Sequence, residues 1–260
     1  TIAPLLLTSY LSTQSWPILQ FFSGEPSVDV VDLFKRSTIR DRILLLAPVL
    51  VCLICLFYSL EWLIAYLRFG HPIDMGIFQL AGKQMREHKS LYTDFLSETG
   101  VDLAFIYPPF AAIIFIPLSF LSRTVGKVVW TLLTVLALWA VLFMVGRRLA
   151  PKQKPYWTAL LSILFMGPTM LMEPIAAGIH YAQIDVFLLF LVALDVLGFM
   201  PKKLRGVGIG LAAGIKITPA CYAVILLGRK DWYGIITSAI TFLITAIIGF
   251  IVTPSESKLF

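Results

Sequence analysis

Four short stretches of this chain carry polar groups that an inert bundle of apolar helices does not need. Gly210-Leu211-Ala212-Ala213-Gly214-Ile215-Lys216-Ile217-Thr218-Pro219 sets a lysine in a run otherwise suited to a bilayer. A lysine deep in hydrocarbon costs about 2.5–3.5 kcal/mol, which marks it as functional unless its stem lets the ammonium snorkel to the interface. Pro219 removes a backbone donor and turns the preceding residue away from helix, so the span is expected to break there. His180-Tyr181-Ala182-Gln183-Ile184-Asp185 places an amide and a carboxylate two residues apart where an apolar run begins, although interface polarity alone would account for them. Phe105-Ile106-Tyr107-Pro108-Pro109-Phe110 opens another run with a proline pair, which is also simply a good helix start. Asp74 stands in the first polar loop, where it would serve equally as a helix cap. As chemistry, a carboxylate suits proton abstraction, an amide suits sugar hydroxyls and an ammonium suits phosphate.

The elements that must position these groups are membrane helices. Of 260 residues, 58% are hydrophobic and 14% charged, with a mean hydropathy of +0.87. A soluble domain carries about 25% charged residues, and the apolar runs are too long for barrel strands. The expected class is therefore an all-α polytopic membrane protein. Seven apolar segments are expected, at 43–67, 105–121, 128–145, 157–172, 184–200, 206–227 and 234–252, some below the ~20 residues needed to span. Residues 1–42 form an N-terminal segment, interfacial or cytoplasmic, and 43–260 the transmembrane domain. Within the polar stretch 68–104, Ile77, Leu80, Ala81 and Met85 recur at near-helical spacing, the pattern of a short amphipathic helix on the membrane surface.

Charge placement orients the chain. The +6 net charge gathers in short loops, with Arg147, Arg148, Lys152 and Lys154 in one and Lys202, Lys203 and Arg205 in another. Such loops read as cytoplasmic, which puts 68–104 outside. They lack the interleaved aromatic residues of a nucleic-acid surface, so no nucleic-acid partner is expected. Simple alternation then conflicts with the charge rule. If 105–121 crosses, Arg123 and Lys127 fall inside but Arg147 and Arg148 fall outside; a half-helix after Pro109 that enters and returns would remove the conflict, unless the basic loop disobeys the rule. With 200–205 inside, Lys216 lies roughly 15 Å along its span, and Asp74, Tyr107, Gln183 and Lys216 could line one outward pocket. Gly206, Gly208, Gly210 and Gly214 read as a face for close helix packing. Cys52, Cys55 and Cys221 read as small buried hydrophobes.

In order and spacing these pieces resemble the actinobacterial polyprenol-phosphate-mannose-dependent α-mannosyltransferases and their arabinofuranosyltransferase relatives, within the GT-C superfamily of integral membrane glycosyltransferases. The matching pieces are Asp74, Leu91-Tyr92, Tyr107-Pro108-Pro109, Trp130, Gln183-Ile184-Asp185 and the run ending at Pro219. Pro254 and Ser257 fit the start of a Pro-x-x-Ser-x-x-Tyr-Trp signature, with Phe260 where the family prefers Tyr. The family pattern at 182–185 is Gly-Gln-x-Asn, whereas this chain has Ala182-Gln183-Ile184-Asp185. Family members continue for further spans, so the resemblance implies an N-terminal portion of a longer enzyme.

The resemblance implies a GT-C-like transmembrane bundle in the cell membrane that moves mannose from a polyprenyl-phosphate donor to an outer-face envelope glycolipid or glycan, of lipomannan or phosphatidylinositol-mannoside type. The step would be single and inverting, with Asp74 as general base. Lys216 would pair with the donor phosphate, Gln183 and Asp185 would bind sugar hydroxyls, and Tyr92, Tyr107 and Pro108 would shape the pocket. No cofactor is expected and, with no cluster at metal-ligand spacing, no metal. The rivals are arabinofuranosyl transfer by the same fold and a secondary transporter with its broken-helix site at Lys216.

Overall fold

The computed structural model describes residues 39–93, 96–98 and 101–260; the expectation for 1–38 lies outside them. Helix α1, Ile39–Phe69, is about 46 Å long, and its apolar part, Leu46–Phe69, is long enough to cross a bilayer. It stops where Gly70 and Pro72 interrupt the ladder, and α2, Ile73–Arg86, begins at once. A two-stranded antiparallel ribbon follows, β1 Leu96–Glu98 with β2 Val101–Leu103, the one departure from all-α structure among the described residues. Pro109 occupies the first turn of the short α3, Pro109–Phe115, which runs into a 3₁₀ turn, Pro117–Phe120. Ser122 then accepts a hydrogen bond from the Val125 amide and starts α4, Arg123–Leu149.

Helix α5, Pro155–Leu171, is followed after an 82° bend by α6, Glu173–His180. Next come α7, Asp185–Val196, and α8, Val207–Ile215, the latter leading to a 3₁₀ turn at Thr218–Tyr222 and α9, Ala223–Gly228. Helices α10, Trp232–Val252, and α11, Pro254–Leu259, complete the order. Among the described residues α1, α4 and α10 are long and apolar enough to cross a membrane, and the bent α5–α6 pair makes a fourth if it is one span. Large apolar side chains such as Ile43, Phe57, Leu132, Ile236 and Ile251 stand exposed along the three long helices, as lipid-facing surface requires.

Two hydrogen bonds decide the topology. Arg123, at the start of α4, donates to the Pro72 carbonyl (3.1 Å), and Lys127, one turn on, donates to that of Gly70 (3.1 Å). The start of α4 therefore lies where α1 ends. Residues 105–121 make no crossing; they enter and return, as the first of the two alternatives required. The charge conflict disappears with it. Arg123 and Lys127 are not at the basic end, and their charges are occupied by loop carbonyls. Arg147 and Arg148 fall at the opposite end, where Arg148 donates to the carbonyls of Leu197 and Gly198. The Lys203 carbonyl accepts from the Tyr233 hydroxyl there, Arg205 pairs with Asp231 (2.6 Å), and Arg229 donates to the Val196 carbonyl (2.6 Å).

The same bonds show that 206–229 is a second re-entrant segment rather than a span. Helix α8 climbs from the basic end, the backbone becomes extended at Lys216, and α9 returns to Arg229. The break falls at Lys216 itself, ahead of Pro219. Asp195, with 1% exposure, anchors the hairpin by accepting from the Gly206 and Ile209 amides (2.7 and 2.8 Å), donors at the α8 N-terminus that have no helical partner of their own. Glycine is required here. Gly206 has φ +95° with the α10 backbone against it, and side chains at Gly210 and Gly214 would strike Ser238, Thr241 and Thr245 of α10. The close-packing reading of this glycine face holds.

Helix α2 corrects one expectation. Its apolar face is turned into protein: Met75, Phe78 and Ala81 are at most 1% exposed. Gln79 ties it to the turn after α3 through the carbonyls of Leu118 and Leu121 (3.2 and 3.1 Å). An amphipathic pattern specifies one apolar face without saying whether lipid or protein covers it. Cys52 and Cys55 are part-buried in α1 while Cys221 is exposed, so the buried reading fails for Cys221.

Candidate active site

At the end opposite the basic loops, four elements bring titratable groups together. Asp74 lies in the first turn of α2 without capping it; the cap position is Pro72, with no side-chain hydrogen bond. Its own amide donates to the Tyr181 carbonyl (2.9 Å), which joins α2 to the turn before α7. The grip of Arg123 and Lys127 on the preceding carbonyls and of Gln79 on the α3 turn leaves Asp74 on a fixed element. Burial pushes its carboxyl above the ordinary carboxylate value, the neighbouring Asp185 adds to this, and Lys216 opposes both.

Asp185 opens α7 and Lys216 closes α8, and their side chains meet at 2.7 Å. The pair is open to solvent, with Asp185 half exposed and Lys216 31% exposed. The Lys216 ammonium also stands 6.0 Å from the centre of the Tyr107 ring, at the limit of a cation–π contact. Tyr107 is raised as an acid, first by burial and then by Asp74 and Asp185, so all three groups share one space. Helix α7 has 12 residues, about 18 Å, against roughly 30 Å of hydrocarbon, which sets the pair well below the far membrane surface if the basic end reaches its own.

The remaining candidates form the wall. Tyr92 donates its hydroxyl to the Tyr107 carbonyl (2.7 Å), and burial followed by the Glu256 charge raises it as an acid. Pro108 is the cap residue of α3, directly before the proline of its first turn. Tyr107 packs edge-on against Phe78 (5.4 Å), which contacts Trp130 (5.4 Å), so an aromatic floor supports the site. Gln183 is half-buried in the turn before α7, its side-chain oxygen near Gly178, and it bonds to neither Asp185 nor Lys216. The preceding Ala182 is buried with φ +56°, a conformation that glycine adopts without strain.

Of the four residues expected to line one pocket, Asp74, Tyr107 and Lys216 lie near one another, Asp185 takes the place expected of Gln183, and Tyr92 and Pro108 adjoin Tyr107. What the sequence reading missed is the partnership of Asp185 with Lys216, the two cationic hooks on the 70–72 carbonyls, and Glu256. Glu256 is buried in α11 and accepts from Ser90 and Leu91. Its only sequence signal is an acidic residue just after an apolar span.

A glycosyltransferase family 87 model matches residues 105–260. The chain belongs to this family. The matched span contains Tyr107, Pro108, Gln183, Asp185, Lys216 and Glu256, while Asp74 and Tyr92 precede it. A polyprenol-phosphate-mannose-dependent alpha-(1-2)-phosphatidylinositol mannoside mannosyltransferase of Mycobacterium tuberculosis is 30% identical over 209 residues, covering 75% of this chain and 49% of that protein. The protein of the same description from Mycolicibacterium smegmatis is 30% identical over 202 residues, 73% of this chain and 46% of the relative. A phosphatidylinositol pentamannoside mannosyltransferase of that organism, also polyprenol-phosphate-mannose-dependent, is 29% identical over 219 residues, 84% and 52%. The family 87 chain described here thus spans about half the length of the curated relatives it matches. No solved structure matches it significantly.

Proposed function

We propose that this family 87 chain carries the site of a membrane mannosyltransferase that uses polyprenyl-phosphate-mannose as donor and a phosphatidylinositol-mannoside or lipomannan-type glycolipid as acceptor. The observation that carries the reading is the Asp185–Lys216 pair beside Tyr107, with Asp74 in the field of both, at the end opposite the basic loops. The named relatives support the donor and acceptor classes. The basic end, with Arg147, Arg148, Lys203, Arg205 and Arg229, is assigned to the cytoplasm by the positive-inside rule, so the site opens outward.

In the proposed step Asp74 takes the proton from an acceptor hydroxyl as that oxygen attacks C1 of mannose. The bond from C1 to the phosphate oxygen breaks with inversion, and polyprenyl phosphate leaves with the electron pair. A base shifted upward by burial holds a proton more readily than an ordinary carboxylate, which favours this transfer, and such assistance contributes typically about 10²–10⁴-fold. Lys216 offsets charge on the leaving phosphate. Asp185 already holds Lys216, so the phosphate must share or displace that contact. Gln183, with Asp185, is assigned to the sugar hydroxyls, and Tyr92, Tyr107 and Pro108 to the shape of the pocket. The mechanism invokes no metal or cofactor.

The test is transfer of labelled mannose in membranes expressing the longest available chain, wild type beside Asp74→Asn. The expected result is wild-type transfer that falls at least about a hundredfold in a normally expressed mutant. Equal rates would remove Asp74 as base. Transfer from a polyprenyl-phosphate arabinose donor and none from the mannose donor would move the reading to arabinofuranosyl transfer.

A further inference from the structure

We infer that Glu256 is a positioning residue of the site, acting through Tyr92 and Tyr107. The inference rests on the proposed reaction only for its activity readout. Glu256 lies in α11, beyond the last long helix, and is 8% exposed. One of its carboxylate oxygens accepts both the Leu91 amide (2.7 Å) and the Ser90 hydroxyl (3.0 Å), from a loop 165 residues earlier in the chain. Leu91 is fully buried, so its amide depends on this carboxylate for a partner. The bond fixes the loop one residue before Tyr92.

Tyr92 passes the constraint on. Its hydroxyl holds the Tyr107 carbonyl at 2.7 Å, and its ring packs with Phe105 (6.1 Å) and with Phe260 (5.9 Å), the latter just beyond α11 itself. Tyr107 is the wall residue beside Lys216, in the field of Asp74 and Asp185. Glu256 and Phe260 therefore clamp the 90–92 loop from one side, and that loop sets where the Tyr107 backbone sits. A shift of about an ångström in a supporting wall is enough to cost a large factor in rate. Glu256 touches no reacting group in this arrangement, and its influence travels through two hydrogen bonds.

The experiment is a double-mutant cycle in the longest available chain, with mannosyl transfer and amide hydrogen exchange measured on the same preparations. Glu256→Ala and Tyr92→Phe are each expected to lower kcat about tenfold or more, with a smaller change in donor KM. The double variant is expected to lose little beyond the worse single one, because both act on the same contact. Glu256→Gln keeps an oxygen acceptor and is expected to restore at least half of the lost rate. Single losses that multiply, or a Gln variant no better than Ala, would overturn the proposal. Hydrogen exchange reads the linkage without any substrate: Glu256→Ala should deprotect the Leu91 amide and also that of Ala111, which donates to the Pro108 carbonyl next to Tyr107, and deprotection confined to 90–92 would refute it. A wild type inactive with the mannose donor would sink the donor assignment and leave this exchange test standing.

Discussion

The pH behaviour of Asp74 follows from its environment, with the sign fixed by which form the fold prefers. Burial and Asp185 raise its carboxyl above 3.8, so the folded chain binds that proton more tightly than the unfolded one. Two consequences can be measured. As pH falls, activity should begin to be lost at a higher pH than an ordinary carboxylate base would give, because this base protonates earlier. Folding stability contributed by this group falls as pH rises from 3.8 through the raised value, so Asp74→Asn should be at least as thermally stable as wild type at neutral pH. A mutant both inactive and clearly less stable there would indicate a structural carboxylate. At Asp185 the expectation concerns phosphate. Asp185→Asn removes the anion that competes for Lys216, so the donor KM should fall several-fold and polyprenyl phosphate should inhibit at several-fold lower concentration. The pair is substantially exposed, and its loss should scarcely change the melting temperature. Unchanged KM and inhibition would mean that the phosphate does not compete with Asp185.

Among the elements, the hairpin built on α8 carries Lys216, and Asp195 is its anchor. Asp195→Ala would leave the buried Gly206 and Ile209 amides without an acceptor, a loss of about 2–4 kcal/mol if each costs 1–3 and water relieves part of it. Thermal unfolding in detergent should show it as a clearly lowered midpoint, whereas a replacement such as Asp195→Asn, which keeps one acceptor oxygen, should lose less. An unchanged midpoint in the alanine variant would mean that the hairpin is held by its glycine packing against α10 instead. The sequence made the helices legible because apolar runs and proline or glycine stops are local signals, as at Pro109 and Gly206. It also announced Lys216 through its cost in hydrocarbon. It offered the return of Phe105–Leu121 only as one of two ways out of the charge conflict and did not show that of Gly206–Leu227, since a re-entrant run and a crossing run share the same composition. Nor could it show that Lys216 meets Asp185 or that Glu256 meets Leu91, because those contacts join residues 31 and 165 apart. The site was readable as residue types and became a site only through the return of these two segments.

For the molecule as a whole, two re-entrant segments reconcile its charges with its topology, and this can be tested without knowing the reaction. The basic loops 147–154, 202–205 and 229–230 then lie at one end, and two of the cations at the other end, Arg123 and Lys127, are turned onto the carbonyls of Pro72 and Gly70. A half-helix from the site end at 105–121 and another from the basic end at 206–229 approach the groups of α2 and α7, which is how a bundle can hold a lysine and two carboxylates without a lipid-exposed break. With Cys52, Cys55 and Cys221 replaced, single cysteines introduced by Lys89→Cys, Thr124→Cys and Lys203→Cys should report the arrangement to a membrane-impermeant maleimide. Lys89 and Thr124 are exposed at the site end and Lys203 at the basic end. The first two should label in intact cells and the third only after permeabilisation. Thr124 decides the matter, because a true crossing by 105–121 would place it with Lys203. If it labelled only after permeabilisation, Arg123 could not reach Pro72, Asp74 would lose its support, and the pocket proposed for the donor would not exist.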